Sequence, residues 1–258
     1  MNIFKPNSKI CLYLGSRNDI LPDERVDLVL TSPPYNIGSK APRKDGFRSQ
    51  GKYDPKSFGA IRGYKDDLPE EVYQQQQKDF LIKCSELIKD DGVIAYNHKN
   101  RHKNGRLISP YAWFPYDKLV LHDEIVLDRK SSHNNEKSFM QPTTERLYIF
   151  KKNQKTKIYF NKKKTATFFS TRDVWPFLII QDKSKDRHCA PYGLNFAREV
   201  VFRYCPPDGL VYDPYSGSGT SMLACYMEER RFIGTELMEK WFNKSIERFN
   251  ILVKAKNE

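Results

Sequence analysis

Near the carboxyl end, the apolar run Leu210-Val211-Tyr212 is followed by a glycine-rich turn, a helix-like stretch at 219–229 and a second apolar run, Phe232-Ile233-Gly234. Two such runs bracketing one helix read as a strand–helix–strand unit, and that unit narrows the fold most. The rest of the chain repeats the alternation. Ile10-Cys11-Leu12-Tyr13-Leu14 reads as a strand ending at Gly15, and Val26-Asp27-Leu28-Val29-Leu30 as another. Residues 70–89 carry Val72, Phe80, Leu81, Cys84, Leu87 and Ile88 as one helical face, and Val93-Ile94-Ala95-Tyr96 is the next strand. Residues 120–127 and 145–150 read as two strands separated by a polar loop, and 194–204 as a helix ahead of Pro206-Pro207. The expected fold is α/β, a mostly parallel sheet with helices on both faces, in a single domain spanning 1–258.

Composition excludes several classes. No apolar run approaches the roughly 20 residues that span a bilayer. The start, Met1-Asn2-Ile3-Phe4-Lys5-Pro6, has no signal-peptide core, so a cytoplasmic location is expected. A net charge of +12, from 44 basic and 32 acidic residues, favours an anionic partner, nucleic acid first. The bland alternative is a merely soluble basic protein. The five cysteines, Cys11, Cys84, Cys189, Cys205 and Cys225, form no C-x-x-C, so neither a zinc site nor a disulfide framework is expected.

Two turns carry the chemistry. Asp213-Pro214-Tyr215-Ser216-Gly217-Ser218-Gly219-Thr220 follows an apolar strand and opens a helix. Ligands of open α/β sheets sit at the carboxyl ends of strands, beside a switch in strand order. Glycines there let the backbone approach a ligand, and the free N–H groups of the helix start suit a carboxylate. Glu236 ends the next strand, where an acidic residue binds both ribose hydroxyls in nucleoside-binding folds. A tight structural turn is the alternative. There is no G-x-x-x-x-G-K-[ST] and no full G-x-G-x-x-G, which disfavours triphosphatase and nicotinamide readings.

The other turn, Thr31-Ser32-Pro33-Pro34-Tyr35-Asn36, ends the strand at 26–30. An exocyclic amine on cytosine or adenine is a poor nucleophile, because its lone pair is delocalised into the ring. Acceptors placed on its two hydrogens polarise it and favour a tetrahedral nitrogen. Successive prolines stiffen such a turn, and Pro34 removes an N–H that would compete.

Together the turns resemble the DNA amino-methyltransferases, in the permuted (beta-class) order with the catalytic motif ahead of the cofactor motif. Asp213–Thr220 is similar to their D-P-F-x-G-S-G-T, and His188-Cys189-Ala190-Pro191-Tyr192 to their H-x-A-P-F. The resemblance implies a Rossmann-like methyltransferase fold with a seven-stranded type of sheet, and S-adenosyl-L-methionine as cofactor. It implies that Asp213, Tyr215, Ser216, Gly217, Ser218, Gly219 and Thr220 surround the methionine part and that Glu236 holds the ribose. His188, Ala190, Pro191 and Tyr192 would cover the methionine end, with Gly15 and Thr31 completing the cofactor set. One departure is Gly15-Ser16, where the family usually places an acidic residue after the glycine; Asn18 or Asp19 is expected to compensate near the adenine. Ser32 and the Pro33 carbonyl would be the amine's acceptors, with Pro34 fixing the turn and Tyr35 stacking on the base. A duplex hides the amine, so the base is expected to flip out. Serine at the first motif position is typical of cytosine-N4 members and aspartate of adenine-N6 members. Cytosine-N4 methylation is therefore the expectation and adenine-N6 the alternative. The rivals from other classes are a non-catalytic nucleic-acid-binding module and an RNA methyltransferase.

Two stretches break the strand–helix rhythm. Residues 37–69 are too long and irregular for an ordinary connection, and are expected to form a mobile basic loop. Its Lys40, Arg43, Lys44, Arg48 and Lys52 are expected on DNA phosphates. The resemblance places target recognition at about 151–187, where Lys162, Lys163 and Lys164 suit phosphates. Phe168, Phe169 and Trp175 read equally as stacking surfaces or as core. Residues Asn97–Lys103 are expected to add backbone contacts, and their histidines suggest no metal site. The expected partner is double-stranded DNA in a restriction–modification setting, compatible with a homodimer and a cognate restriction endonuclease, and with no membrane or metal.

Overall fold

The structure is a computed structural model that describes residues 2–37, 66–129, 140, 142–163, 172–176 and 192–257. In chain order its elements begin with β1 (Ile3–Phe4), β2 (Ile10–Leu14), β3 (Val26–Thr31), α1 (Glu70–Leu87) and β4 (Ile88–His98). A small hairpin, β5 (Arg101–Lys103) and β6 (Arg106–Ile108), and a 3-10 turn at Pro110–Trp113 come next. Then follow β7 (Val120–Asp128), β8 (Thr144–Lys151), β9 (Val174–Pro176), α2 (Leu194–Tyr204), β10 (Leu210–Asp213), α3 (Thr220–Met227), β11 (Arg231–Glu236) and α4 (Glu239–Asn257).

The central strands read as unbroken apolar runs because both of their faces are covered. Every residue of β3 is buried. Side chains alternate between the faces, as the strand period of two requires. Leu28, Leu30, Val93 and Ala95 join α2, α3 and α4 in one core, while Val29, Ile94 and Tyr96 join α1 in the other. In α2, Phe196, Ala197, Val200, Val201 and Tyr204 form the inward stripe. In α1 the stripe is Tyr73, Gln77, Phe80, Leu81 and Cys84. Val72, expected on that face, is 45% exposed, because the stripe runs through Tyr73 one position on.

The main sheet has the order β1-β2-β11-β10-β3-β4-β8-β7-β9. From β2 to β4 all neighbours are parallel, and β8 is antiparallel to both β4 and β7. The chain leaves β10 through α3 towards β11, and leaves β3 through α1 towards β4. Strand order therefore reverses between β10 and β3, the switch point beyond whose carboxyl ends open α/β sheets hold their ligands. Both turns singled out in the sequence follow directly from those carboxyl ends, at Thr31 and Asp213. Among the described residues no helix is long and apolar enough to cross a membrane.

Candidate active site

The glycine turn is fixed from three sides. From β10, Asp213 Oδ1 accepts the Tyr215 N–H at 3.0 Å, and Oδ2 accepts the hydroxyls of Tyr192, at 3.3 Å, and Ser221. From β11, Glu236 Oε2 accepts the Gly217 N–H and Oε1 the Met238 N–H, both at 2.8 Å. From α4, Ser245 Oγ donates to the Gly217 carbonyl at 3.0 Å, and Arg248 donates to the Ser218 carbonyl, Ser218 Oγ and Thr220 Oγ1. Gly217 and Gly219 hold φ of 53° and 77°, the left-handed region that side chains disfavour. A Cβ on Gly219 would also stand 2.8 Å from Ser245 Cβ. Within the turn, Ser216 Oγ donates to the Asp213 carbonyl at 3.1 Å. Burial pushes the Asp213 carboxyl up to about 6 and the Glu236 carboxyl up to about 7.

The cofactor set expected from the sequence is partly assembled. Gly15 donates its N–H to the Glu236 carbonyl at 2.9 Å, which puts the end of β2 beside that acid. Thr31 is fully buried, and its Oγ1 has no partner among the described residues. The Tyr215 ring packs edge-on against Phe80, 5.5 Å between centroids, with the Arg17 guanidinium 5.3 Å above it. Asn18 and Asp19 are exposed. Tyr192 is in place, whereas His188, Ala190 and Pro191 lie outside the described residues.

The Ser32 turn sits at the end of β3, next door. Pro34 presents its carbonyl to the Tyr73 hydroxyl at 2.8 Å. That hydroxyl also lies 2.7 Å from His98 Nε2. The other ring nitrogen, Nδ1, lies 2.8 Å from the Lys99 backbone nitrogen and 2.9 Å from its carbonyl, so the ring is held at both ends. Burial holds this imidazole neutral, pushing it down to about 3. Beyond the turn, Asn36 (φ 53°) clasps the far end of the following segment. Its N–H donates to Asp66 Oδ1 at 2.8 Å, its amide exchanges bonds with Leu68, and Arg101 pairs with Glu70 beside it at 2.7 Å. Arg101, expected near DNA phosphates, is buried in this clasp.

Two residues that the sequence reading did not single out, Glu145 and Arg129, complete the site together with Asn97, which was expected on the DNA backbone. Glu145 on β8 accepts the Tyr35 hydroxyl at 3.1 Å and pairs with Arg129 at 2.6 Å. Asn97, on β4, donates to Tyr35 and Glu145. The signal for Glu145 was parity. It shares the inward face of β8 with Leu147 and Ile149, where a carboxylate has no place without a task.

The expected DNA contacts fare differently. Lys40, Arg43, Lys44, Arg48, Lys52 and Lys164 lie outside the described residues, as do Phe168 and Phe169. Lys162 and Lys163 are exposed but stand beside Asn161, which bonds to Arg203 at the end of α2. That end precedes the amino end of β10, so both lysines are on the side of the sheet opposite the two turns. Trp175 is 2% exposed and belongs to the core. No metal-holding cluster occurs among the described residues.

Residues 26–247 match the model of a family described as DNA methylase, of the N6/N4 type. Type II methyltransferase M2.MboI of Moraxella bovis is 22% identical over 259 residues, covering 96% of this chain and 90% of its own length. Type II methyltransferase M.SmaI of Serratia marcescens is 25% identical over 269 residues, covering 88% and 85%. Among solved structures, the cytosine-N4-specific PvuII DNA methyltransferase matches with a TM-score of 0.71 at 17% identity, over 94% of this chain and 86% of that one. The M1.HpyAVI–SAM complex matches with a TM-score of 0.58 at 19% identity, over 93% and 98%.

Proposed function

Because the chain belongs to the N6/N4 DNA methylase family, we propose that it transfers a methyl group from S-adenosylmethionine to the N4 amine of a cytosine flipped out of duplex DNA. The observation that carries this reading is the adjacency of the two turns, at the carboxyl ends of neighbouring strands β3 and β10. A methyl donor held at one turn meets an amine held at the other, and such proximity supplies much of the acceleration.

The residues fit the cofactor. A ligand bearing positive charge favours the ionised forms of the buried Asp213 and Glu236. Glu236 would hold the ribose hydroxyls with the lone pairs that Gly217 and Met238 leave free. Asp213, the 217–219 backbone and Tyr192 would hold the methionine part. S-adenosylmethionine supplies an electrophilic methyl on a sulfonium.

Ser32 Oγ and the Pro33 carbonyl accept the hydrogens of the target amine, and the Tyr35 ring stacks on the base. The bond from Tyr73 to the Pro34 carbonyl braces the turn from behind. Ser32 in place of an acid supports cytosine-N4 over adenine-N6 by the resemblance drawn above. We place target recognition at the edge where β9 ends. There Pro176 pairs with Asp128, next to Arg129 and on the same side as both turns. The type II relatives support a restriction–modification setting.

Nucleoside mass spectrometry after incubating unmethylated duplex with isotopically labelled S-adenosylmethionine tests the reading. Label in N4-methylcytosine is the expected result. Label in N6-methyladenine keeps the enzyme and overturns the base, and label in RNA alone or nowhere overturns the reading.

A further inference from the structure

Methyl transfer leaves a proton to be disposed of. As the new C–N bond forms and the C–S bond breaks, the exocyclic nitrogen becomes cationic and must lose one hydrogen. A serine hydroxyl can accept a hydrogen bond but is too weak a base to keep a proton. Where the turn has Ser32, the proton therefore needs a further destination.

The hydrogen bonds around Ser32 have only one consistent direction. A carboxylate only accepts, so the Tyr35 hydroxyl donates to Glu145 Oε2 at 3.1 Å. Tyr35 has no second proton, so in the 3.0 Å contact between Ser32 Oγ and Tyr35 the serine is the donor. Asn97 Nδ2 fills the remaining place on the Tyr35 oxygen at 3.1 Å. Ser32 Oγ has then spent its only proton, and its remaining lone pairs make it a pure acceptor, which is what an amine hydrogen needs. The carboxylate at the end of the chain is 6% exposed and neutralised by Arg129 at 2.6 Å.

We infer that Glu145, acting through the Tyr35 hydroxyl, orients Ser32 as an acceptor and receives the proton released by the methylated amine. The inference rests on the methyl-transfer reading above but holds for either base. The transfer is a concerted shift. The amine N–H bond breaks and a Ser32 O–H bond forms, the original Ser32 proton moves to Tyr35, and the Tyr35 proton moves to Glu145 Oε2. Glu145 ends neutral, the amine ends neutral, and the positive charge of the sulfonium is gone, so charge balances. The proton leaves to solvent between turnovers. Glu145 touches no substrate and is a positioning residue with a relay role. The charged and titratable groups facing it are Arg129 from the end of β7, Tyr35 from the catalytic turn and Lys99 from the end of β4.

The test is single-turnover kinetics on duplex DNA at saturating cofactor, using whichever base takes label, for the wild-type protein, Glu145→Gln, Glu145→Asp, Tyr35→Phe and the Tyr35→Phe/Glu145→Gln double variant. Cofactor affinity and melting temperature are measured on the same samples. Glu145→Gln is expected to lower the methyl-transfer rate by about a hundredfold, with cofactor affinity within about twofold. Glu145→Asp should restore part of the loss. Tyr35→Phe keeps the ring but breaks the relay, so it should lose as much, and the double variant no more than either single one. A Tyr35→Phe rate within about threefold of wild type overturns the relay even if the Glu145 variants fail to fold. So do losses that add in the double variant. If no variant and no wild-type protein transfers label to any base, the methyl-transfer reading itself has failed, a different result from any of these.

Discussion

At the scale of single residues, the site is decided by which polar atoms are charged and which are not. Asp213 and Glu236 sit at about 6 and about 7 because burial penalises their ionised forms. In the unfolded chain they titrate near their ordinary values, so the ligand-free fold binds extra protons in between. Stability from these two groups is therefore present at low pH and declines as pH rises through their folded values. A cationic ligand reverses the preference, because it favours both carboxylates and lowers their pKa in the complex. Binding then releases protons, and affinity for S-adenosylmethionine should rise from about pH 5 to about pH 8 before levelling. Calorimetry in two buffers of different ionisation enthalpy measures that release, and a flat affinity over the window contradicts it. His98 works with the opposite sign. Its imidazole is held neutral at about 3 while an unfolded imidazole protonates near 6.5, so its contribution is lost as pH falls below that ordinary value. The catalytic turn allows a cleaner test. Ser32→Ala removes the acceptor without disturbing the cofactor turn on β10, so turnover should fall about 10²–10³-fold. Cofactor affinity should be unchanged; a matching loss of affinity would show that Ser32 serves the fold instead.

At the scale of elements, the glycine turn is a strand–helix junction under constraint. Gly219 combines a φ of 77° with a neighbour that a Cβ would strike at 2.8 Å. Gly219→Ala should cost about 1–3 kcal/mol of stability. That is a drop in melting temperature of about 2–4 °C per kcal/mol for a chain of this size, read by a thermal melt, and an unchanged melt would mean that the turn relaxes freely. This junction was legible in the sequence because its parts are local: an apolar strand, the glycines and an apolar helix in immediate succession. The same holds for β2, β3 and α2, whose apolar patterns end where the elements end. What escaped was non-local or too short to show a period. β4 begins at Ile88, before the apolar run at Val93, because backbone pairing with Val26 extends it through polar residues. The β5–β6 hairpin and β9 have three residues per strand, too few to show a period, and the hairpin strands carry charges. Glu145 gains its meaning only from Tyr35, 110 positions away. Asn36 gains its meaning from Asp66 and Leu68, about 30 positions on, and nothing in a linear pattern joins those pairs.

At the scale of the whole molecule, the basic excess and the sheet topology together say where DNA can act. A net charge of +12 gives the protein a long-range attraction for a polyanion. The reaction, however, is confined to the carboxyl edge of the sheet, where β3 and β10 end. Lys162 and Lys163 stand on the opposite side of the sheet from the two turns, and on the proposed reading they raise the overall potential without contacting the duplex. Phosphate contacts and background charge are separated by salt, because each neutralised phosphate adds about 0.9 to the slope of log affinity against log salt. Duplex binding by the wild-type protein should weaken at least about tenfold between about 50 and 200 mM salt. The Lys162→Ala/Lys163→Ala variant should bind somewhat more weakly at low salt yet keep that slope to within about half a phosphate contact. A slope reduced by about two would place both lysines on the DNA, and the duplex would then have to wrap from the carboxyl edge to the amino edge of the sheet. Fluorescence anisotropy of a labelled duplex over a salt series decides between the two arrangements, and the result fixes which face of the molecule target recognition has to occupy.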